Sequence, residues 1–316
     1  MIKFMVLTLF IIFSCTNWVI MWVGMEIMTF FFISLYMMKK NFFLIKHFSW
    51  KYFLIQSISS ALMFLSFVML KGLSLIFSLS FLSCFLMTLG MMIKLGMPPF
   101  HSWMFKICEN MEWDMFFLFN TIQKISPMIT LMTYESFMKF VMYFVIFSSI
   151  FSILCMWEYS IRRFILFSSI LNTNWMLMCM MASKFVFLEY LVFYTFSMLC
   201  LCKLLESTFS EEVTYSWISS FWANKFMTML CILTICGLPP FLGFFIKVEL
   251  INYMISMNFL LVFMNMMSST LMMYMYLHMS MSMVSMLKAS NDYLKKMKKI
   301  MIIIIFSQIV WIFMYV

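Results

Sequence analysis

Apolar stretches of about 17–25 residues, the length that a helix needs to cross a bilayer, recur along the whole chain. Of the 316 residues, 65% are hydrophobic and only 10% are charged. Soluble domains carry about 25% charged residues. Backbone groups in lipid must be hydrogen-bonded within the protein, so only helices and closed β-barrels span a membrane. The sequence lacks the alternating segments of a β-barrel, so these stretches should be helices. The chain is therefore predicted to be an all-α polytopic membrane protein.

About 11 transmembrane helices are predicted, and the links between them are too short for large extramembrane domains. Residues 1–316 are therefore expected to form a single transmembrane domain. The predicted spans are 2–17, 19–38, 48–70, 73–96, 113–136, 138–157, 161–182, 185–206, 222–252, 256–286 and 298–316. A short amphipathic segment, 101–111, is expected after the fourth span.

The orientation of the spans is predicted from the lysines and arginines in the links. The even-numbered links hold most of these residues, including Arg162, Arg163 and the run from Lys288 to Lys299. The odd-numbered links hold little beyond Lys71, Lys139 and Lys184. The N-terminus is therefore expected on the positive-inside side of the membrane and the C-terminus on the opposite side.

Each of the five prolines lies close to a lysine that interrupts an apolar segment. Proline removes a backbone donor and breaks or kinks a helix. A lysine within a membrane costs roughly 2.5–3.5 kcal/mol on insertion scales. This repeated combination predicts a polar path through the bilayer. The pairings are Lys94 with Pro98 and Pro99, Lys124 with Pro127, and Lys247 with Pro239 and Pro240.

Two of these sites share a Gly-x-Pro-Pro-Phe phrase, at residues 96–100 and 237–241. Transporters often carry a broken helix at the matching position of each half, with the ion site near the midplane. Lys94 precedes the first phrase, whereas Lys247 follows the second. This order favours repeats of inverted topology; the alternative is a chance Pro-Pro match.

Glu26 and Lys94 are candidates for a buried ion pair. Glu26 lies well inside the second span and has a long apolar run on its C-terminal side. Burial makes a lysine easier to deprotonate, whereas a nearby carboxylate stabilises its protonated form. A carboxylate that can move towards and away from Lys94 would therefore make Lys94 a switchable proton site. The alternatives are a glutamate that reaches the headgroups and a lysine that snorkels to the interface.

Lys124, Lys247 and His101 are further candidates. Lys124 has polar neighbours, which can hold water, as can the backbone carbonyls freed near Pro127. Its alternative is a structural lysine bonded to carbonyls. Lys247 follows the second helix break. His101 follows the first break and is a possible proton relay, although a histidine satisfied at the interface is an equal alternative.

Other features of the sequence exclude several functions. The net charge of +9 comes mostly from the links and is not a nucleic-acid signature. The nine cysteines show no CxxC pair and no metal-like spacing with histidine. No metal site, iron–sulfur cluster or redox cofactor is therefore expected in this chain.

Five phrases give the chain a resemblance to a known family. The sequence resembles the subunit 2 family of mitochondrial NADH:ubiquinone oxidoreductase (complex I), whose members are antiporter-like membrane subunits. The phrases keep the family order. They are residues 22–26 (WVGME), 51–56 (KYFLIQ), 94–101 (KLGMPPFH), 123–127 (QKISP) and 237–244 (GLPPFLGF).

The resemblance implies a fold and a function. It implies eleven spans, with two inverted repeats and proline-broken helices. It also implies a multi-pass protein of the inner mitochondrial membrane, with the N-terminus towards the matrix and the C-terminus in the intermembrane space. The family moves protons along a buried axis, which falls by motif on Glu26, Lys94, Lys124 and Lys247. NADH, FMN, iron–sulfur clusters and ubiquinone are handled by partner subunits. Membrane-arm and accessory subunits and lipids are the implied partners, with no nucleic acid.

The chain departs from the family pattern at two positions. The family often places a histidine and then a glycine shortly before Trp175, where this chain has Asn172 and Asn174. A histidine relay there is therefore in doubt.

Three other functions remain as alternatives: a stand-alone cation/proton antiporter, a structural subunit that does not conduct, and a receptor-type helical protein. A purely structural bundle does not need a lysine at each of three proline sites, and a receptor would not predict the repeated phrase.

Overall fold

The computed structural model describes residues 1–38, 42–72, 77–109, 111–133, 138–152, 160–208, 222–238, 241–255 and 257–285. Every regular element in these ranges is a helix. The helices are α1 (Ile2–Ser14), α2 (Trp18–Met37), α3 (Phe42–Gly72), α4 (Phe77–Leu95), α5 (Ser102–Cys108), α6 (Trp113–Asn120), α7 (Ile122–Thr133), α8 (Met138–Phe151), α9 (Ile161–Ala182), α10 (Lys184–Thr208), α11 (Trp222–Cys236), α12 (Leu242–Met254) and α13 (Phe259–Ser285).

The helices form two compact units, Met1–Leu177 and Met178–Val316, whose boundary falls within α9. In the first unit, α7 packs against α1, α2 and α4, and α3 packs along α4. In the second unit, α11 packs against α10, α12 and α13. The single domain expected over residues 1–316 stays a prediction.

The first ten predicted spans each coincide with one helix or with a pair of helices that a break separates. The fifth span is divided into α6 and α7, and the ninth into α11 and α12. The segment expected at 101–111 contains α5. The eleventh span, 298–316, lies outside the described residues, so the count of eleven stays a prediction.

Five helices in the described part of the chain are long and apolar enough to cross a membrane. They lie at Trp18–Met37, Phe48–Leu70, Ile161–Ala182, Lys184–Ser207 and Phe259–His278. Large apolar side chains stay exposed on their outer faces and on α1, such as Phe10 (70% exposed), Phe185 (69%) and Phe259 (69%). Such faces suit contact with lipid rather than with water.

Methionine fills much of the interior of the first unit. Met21, Met28 and Met91 are fully buried. Thr130 on α7 directs its hydroxyl at the sulfur of Met91, 3.3 Å away. An unbranched thioether adapts to irregular gaps between helices, so these side chains pack α2, α4 and α7 together.

The first Gly-x-Pro-Pro-Phe phrase ends α4. Gly96 has φ +68°, a left-handed conformation that favours glycine. The Met97 amide donates to the Met92 carbonyl (3.0 Å), as in a Schellman motif. Met97 is held in turn by the Thr173 hydroxyl, 3.0 Å from its sulfur. The phrase therefore ends the helix at Leu95, one residue after the buried Lys94.

The second phrase ends α11 in a similar way. Gly237 has φ +79°, and its amide donates to the carbonyls of Leu233 and Thr234, both at 3.2 Å. The chain resumes as a helix at Leu242. Pro239 and Pro240 lie outside the described residues, so the break predicted in the ninth span is confirmed by its two flanking helices.

The interruption in the fifth span lies at Thr121 and not at Pro127, the only proline of that span. Pro127 is inside α7. Thr121 has φ −111° and ψ −76°, and its hydroxyl donates to the Phe117 carbonyl at 2.7 Å. A threonine that bonds back to the preceding turn competes with regular helix geometry. The break in this span was not predicted, and Thr121 rather than the proline marks it.

The left-handed geometry of Gly96 makes a substitution there costly. Gly96→Ala should destabilise the protein by about 1–2 kcal/mol, because an L-residue is strained in this conformation. The added Cβ would also lie 3.0 Å from the Met104 sulfur. The melting temperature in detergent, followed by thermal shift, should fall by several degrees.

Met38→Ala is the matched control, since Met38 caps α2 with an ordinary φ of −73° and is 78% exposed. It should leave the melting temperature nearly unchanged. An equal effect of the two substitutions would contradict the assignment of strain to Gly96.

Candidate functional site

Three lysines are buried inside an otherwise apolar interior. Lys94 is 8% exposed, Lys124 is 4% and Lys247 is 8%. Within the part of the chain whose burial the structure describes, they are the only charged residues that are buried. These are the lysines that the sequence singled out by their neighbouring prolines. Since burying an unpaired ammonium is very unfavourable, each must find a partner.

Lys94 pairs with Glu26. The Lys94 Nζ lies 2.8 Å from the Glu26 Oε1, and the two side chains are 4% and 20% exposed. The ion pair expected from the sequence is thus present, and it joins the last turn of α4 to the middle of α2. A cation is favourable at the C-terminal end of a helix, so the end of α4 also suits Lys94.

Lys124 has a neutral partner. Its Nζ donates to the Ser169 Oγ of α9 at 2.9 Å. The Ser169 hydroxyl donates in turn to the Leu166 carbonyl at 2.7 Å, which leaves its oxygen free to accept. No carboxylate among the described residues lies within ion-pair distance of Lys124. Its first-turn position in α7 is also unfavourable for a cation.

Lys247 bonds to backbone across the second break. Its Nζ donates to the carbonyl of Cys236, the last residue of α11, at 2.8 Å. A Cβ at Gly237 would lie 3.1 Å from this Nζ. Gly237 therefore provides both the left-handed turn and the space for the ammonium. The cation satisfies a carbonyl that the end of the helix leaves without a backbone donor.

His101 lies among aromatic rings. The centroids of Phe151 and Phe105 are 4.3 and 5.3 Å from that of His101, and Phe167 is 6.5 Å away. The structure gives no hydrogen bond between His101 and any of the three buried lysines. A relay role for His101 stays a prediction.

The two asparagines that depart from the family pattern are buried in α9. The Asn174 Oδ1 accepts a hydrogen bond from the Ser148 Oγ at 2.6 Å. At this position the chain therefore has an amide that joins α9 to α8, where the family often has glycine.

Sequence reasoning missed the residues that surround the lysines. No sequence signal singled out Ser169, and Tyr52 appeared only within the phrase at residues 51–56. The Tyr52 hydroxyl donates to the Gln123 Oε1 at 3.2 Å, and the Gln123 Nε2 donates to the Met28 carbonyl at 3.3 Å. The sequence marks these residues only as polar side chains within apolar spans. That pattern does not show which residues they contact.

The described residues contain no group of three histidine, cysteine or acidic side chains that could hold a metal ion. Their cysteines are all free thiols.

Comparisons with known proteins identify the family. The family model described as "NADH:quinone oxidoreductase/Mrp antiporter, TM" matches residues 15–273. The NADH-ubiquinone oxidoreductase chain 2 of Artemia franciscana is 32% identical over 236 residues, covering 74% of this chain and 73% of that protein. The protein of the same name from Anopheles gambiae is 29% identical over 321 residues, covering 94% of this chain and 90% of its own length.

Solved structures share the fold. A chain of respiratory complex I from Thermus thermophilus superposes with a TM-score of 0.73 at 17% identity, over 88% of this chain and 68% of that one. A chain of the Mrp complex from Dietzia sp. gives 0.71 at 14% identity, over 82% and 55%. These likenesses show an antiporter-like membrane fold. From the family match and these relatives, the chain belongs to the NADH:quinone oxidoreductase/Mrp antiporter family of membrane subunits, alongside the proteins named NADH-ubiquinone oxidoreductase chain 2.

Proposed function

We propose that this chain is a core membrane-arm subunit of respiratory complex I that translocates protons across the inner mitochondrial membrane. The observation that carries the proposal is the burial of Lys94, Lys124 and Lys247, the only buried charged residues in the described part of the chain. Burying an ammonium group is costly, so three of them in an apolar interior call for a function, and proton transport provides one. Intramembrane ionisable residues mark ion pathways and proton relays.

The three lysines differ in a way that suits stepwise proton transfer. Lys94 has a carboxylate partner, Lys124 a hydroxyl and Lys247 a backbone carbonyl. Movement of the Glu26 carboxylate away from Lys94 would favour release of the Lys94 proton. Lys124 can take up or release a proton without breaking an ion pair. In this proposal, protons pass along Glu26, Lys94, Lys124 and Lys247 through bound water.

The energy must come from partner subunits. Moving one charge across the membrane costs ~2.3 kcal/mol per 100 mV. We propose that partner subunits carry out electron transfer from NADH to ubiquinone through FMN and iron–sulfur clusters, and that this chain contributes proton-carrying side chains to the translocase. Its other partners are the membrane-arm and accessory subunits and the surrounding lipid.

The two helix breaks support an arrangement as inverted repeats. Both α4 and α11 end at a glycine with positive φ. The buried lysine lies before the first break, on α4, and after the second, on α12. An N-terminus towards the matrix and a C-terminus in the intermembrane space complete the proposed topology, as the lysines and arginines of the links predict.

A stand-alone cation/proton antiporter is the second candidate, because the family description includes the Mrp antiporter. Cation/proton exchange by the isolated chain in vesicles would favour this candidate. Strict dependence of proton transport on the partner subunits and on NADH would favour the complex I proposal.

Lys124→Met should abolish most proton pumping while leaving assembly intact. The substitution keeps an unbranched side chain but removes the proton carrier, and a positioned proton-transfer group contributes on the order of a hundredfold or more to a rate. Acidification of proteoliposomes that contain the intact complex measures pumping, with NADH oxidation followed in parallel.

The control is Lys139→Met, the same substitution at an exposed lysine of the first unit. It should leave pumping at the wild-type level. Normal pumping by an assembled Lys124→Met complex would remove Lys124 from the proton path.

Glu26→Gln should destabilise the protein, because it leaves the Lys94 ammonium without its counter-charge. Breaking a buried ion pair from one side costs about 3–5 kcal/mol, and the partial exposure of Glu26 places the effect near the lower end. The double substitution Glu26→Gln/Lys94→Met should recover most of the stability but not the pumping. Melting temperature and proteoliposome acidification separate the two effects.

The exposed pair Lys203–Glu206, 3.4 Å apart, provides the control. Glu206→Gln should change stability by less than about 1 kcal/mol, as is usual for a surface ion pair. A double variant no more stable than Glu26→Gln would contradict the assigned energetic link between Glu26 and Lys94.

A further inference from the structure

The side chain of Gln123 bridges three helices of the first unit. Gln123 lies on α7, its Nε2 lies 3.3 Å from the Met28 carbonyl on α2, and its Oε1 lies 3.2 Å from the Tyr52 hydroxyl on α3. Both ends of the amide are therefore engaged, one with a backbone carbonyl and the other with a buried hydroxyl.

The chemistry of the partners fixes the orientation of this amide. A backbone carbonyl can only accept, so the NH₂ group of Gln123 must face Met28 and its oxygen must face Tyr52. The Tyr52 hydroxyl then donates. Tyr52 is 2% exposed and packs against Phe32 and Phe119, with ring centroids 5.3 and 6.3 Å away. The packing holds the tyrosine ring in place, so the bridge has a rigid partner on α3.

The bridge joins the two helices that carry Glu26 and Lys124. Met28 follows Glu26 by two residues on α2, and Gln123 directly precedes Lys124 on α7. Lys124 bonds in another direction, to Ser169 on α9. The first turn of α7 is thus fixed on one side to the helix of Glu26 and on the other side to α9.

Pro127 adds a second role for the same residue. A proline cannot donate to the carbonyl four residues earlier, and that carbonyl belongs to Gln123. The Ser126 hydroxyl approaches it only at 3.4 Å. The Gln123 carbonyl can therefore still accept a hydrogen bond from water. Gln123 directly precedes Lys124 in the sequence.

We propose that Gln123 is a positioning residue for proton transfer between the Glu26–Lys94 pair and Lys124. This inference rests on the proposed function. The side-chain amide sets the distance between α2 and the first turn of α7, and the carbonyl freed by Pro127 orients water beside Lys124. An amide stays neutral throughout, so the bridge persists while the neighbouring groups gain and lose protons. Gln123 itself carries no proton.

Gln123→Met tests the bridge in the intact complex. The substitution keeps the length of the side chain and removes both hydrogen bonds. Pumping in proteoliposomes should fall about three- to tenfold per NADH oxidised, since proton transfer depends on the alignment of its groups. The pH profile of pumping should change, while NADH oxidation without a membrane potential keeps its wild-type profile. A residue that only stabilised the fold would lower assembly and NADH oxidation together.

Tyr52→Phe provides a second variant that keeps the ring packing and removes only the hydroxyl. It should lower pumping in the same direction and by a smaller factor. The double variant Gln123→Met/Tyr52→Phe should be no worse than Gln123→Met alone, because both changes break one network. If Gln123→Met does not assemble, Tyr52→Phe decides the question, and unchanged pumping in it overturns the inference.

The control is Gln56→Met, the same substitution at a buried glutamine (4% exposed) one turn beyond Tyr52 on α3. Pumping should be retained in this variant, and an equal loss would overturn the specific role of Gln123. Lys124→Met, assayed in parallel, separates the two proposals. If Lys124→Met stops pumping and Gln123→Met does not, the inference fails and the proposed function stands. If Lys124→Met pumps normally, Lys124 is not on the proton path, and the positioning role of Gln123 fails with it.

Discussion

The structure depends on how three lysine ammonium groups are satisfied within a chain that is otherwise suited to lipid. A buried charge is tolerated only with a partner, and each lysine has a different one: the Glu26 carboxylate for Lys94, the Ser169 hydroxyl for Lys124 and the Cys236 carbonyl for Lys247. One partner carries a full negative charge and the other two are dipoles. In the proposed path, Lys124 can change its charge without leaving a carboxylate unpaired, because it donates to the Ser169 hydroxyl.

An interrupted helix makes the partner of Lys247 available. A continuous helix satisfies its own backbone, so it has no carbonyl to offer a lysine. The left-handed glycine at the end of α11 exposes the Cys236 carbonyl and leaves room for the Lys247 Nζ. The irregular residue Thr121 begins a new helix just before Lys124, and Pro127 frees the carbonyl of Gln123. Breaks that would weaken a soluble bundle here create polar backbone positions next to Lys124 and Lys247.

The sequence predicted the helices, the buried lysines and the Glu26–Lys94 pair, because hydropathy, proline and intramembrane charge act through local or one-dimensional rules. The breaks that follow Lys94 and precede Lys247 were also visible, since glycine before Pro-Pro ends a helix for steric reasons. The partners of Lys124 and Lys247 were not visible. Ser169 is a neutral side chain, so no charge marks it as the partner of Lys124, and the Cys236 carbonyl carries no side-chain signal. The break at Thr121 was missed because proline is the stronger local signal, yet a helix accommodates Pro127 while a threonine hydroxyl distorts the turn before it.

The central claim is that the buried lysines form a hydrated path rather than separately capped structural charges. A map of the intact complex at a resolution that shows ordered water tests this claim most directly, in the space between the Glu26–Lys94 pair and Lys124. The account predicts hydrogen-bonded waters that connect the two sites and include one on the Gln123 carbonyl. Dry apolar packing between the two sites would contradict the account.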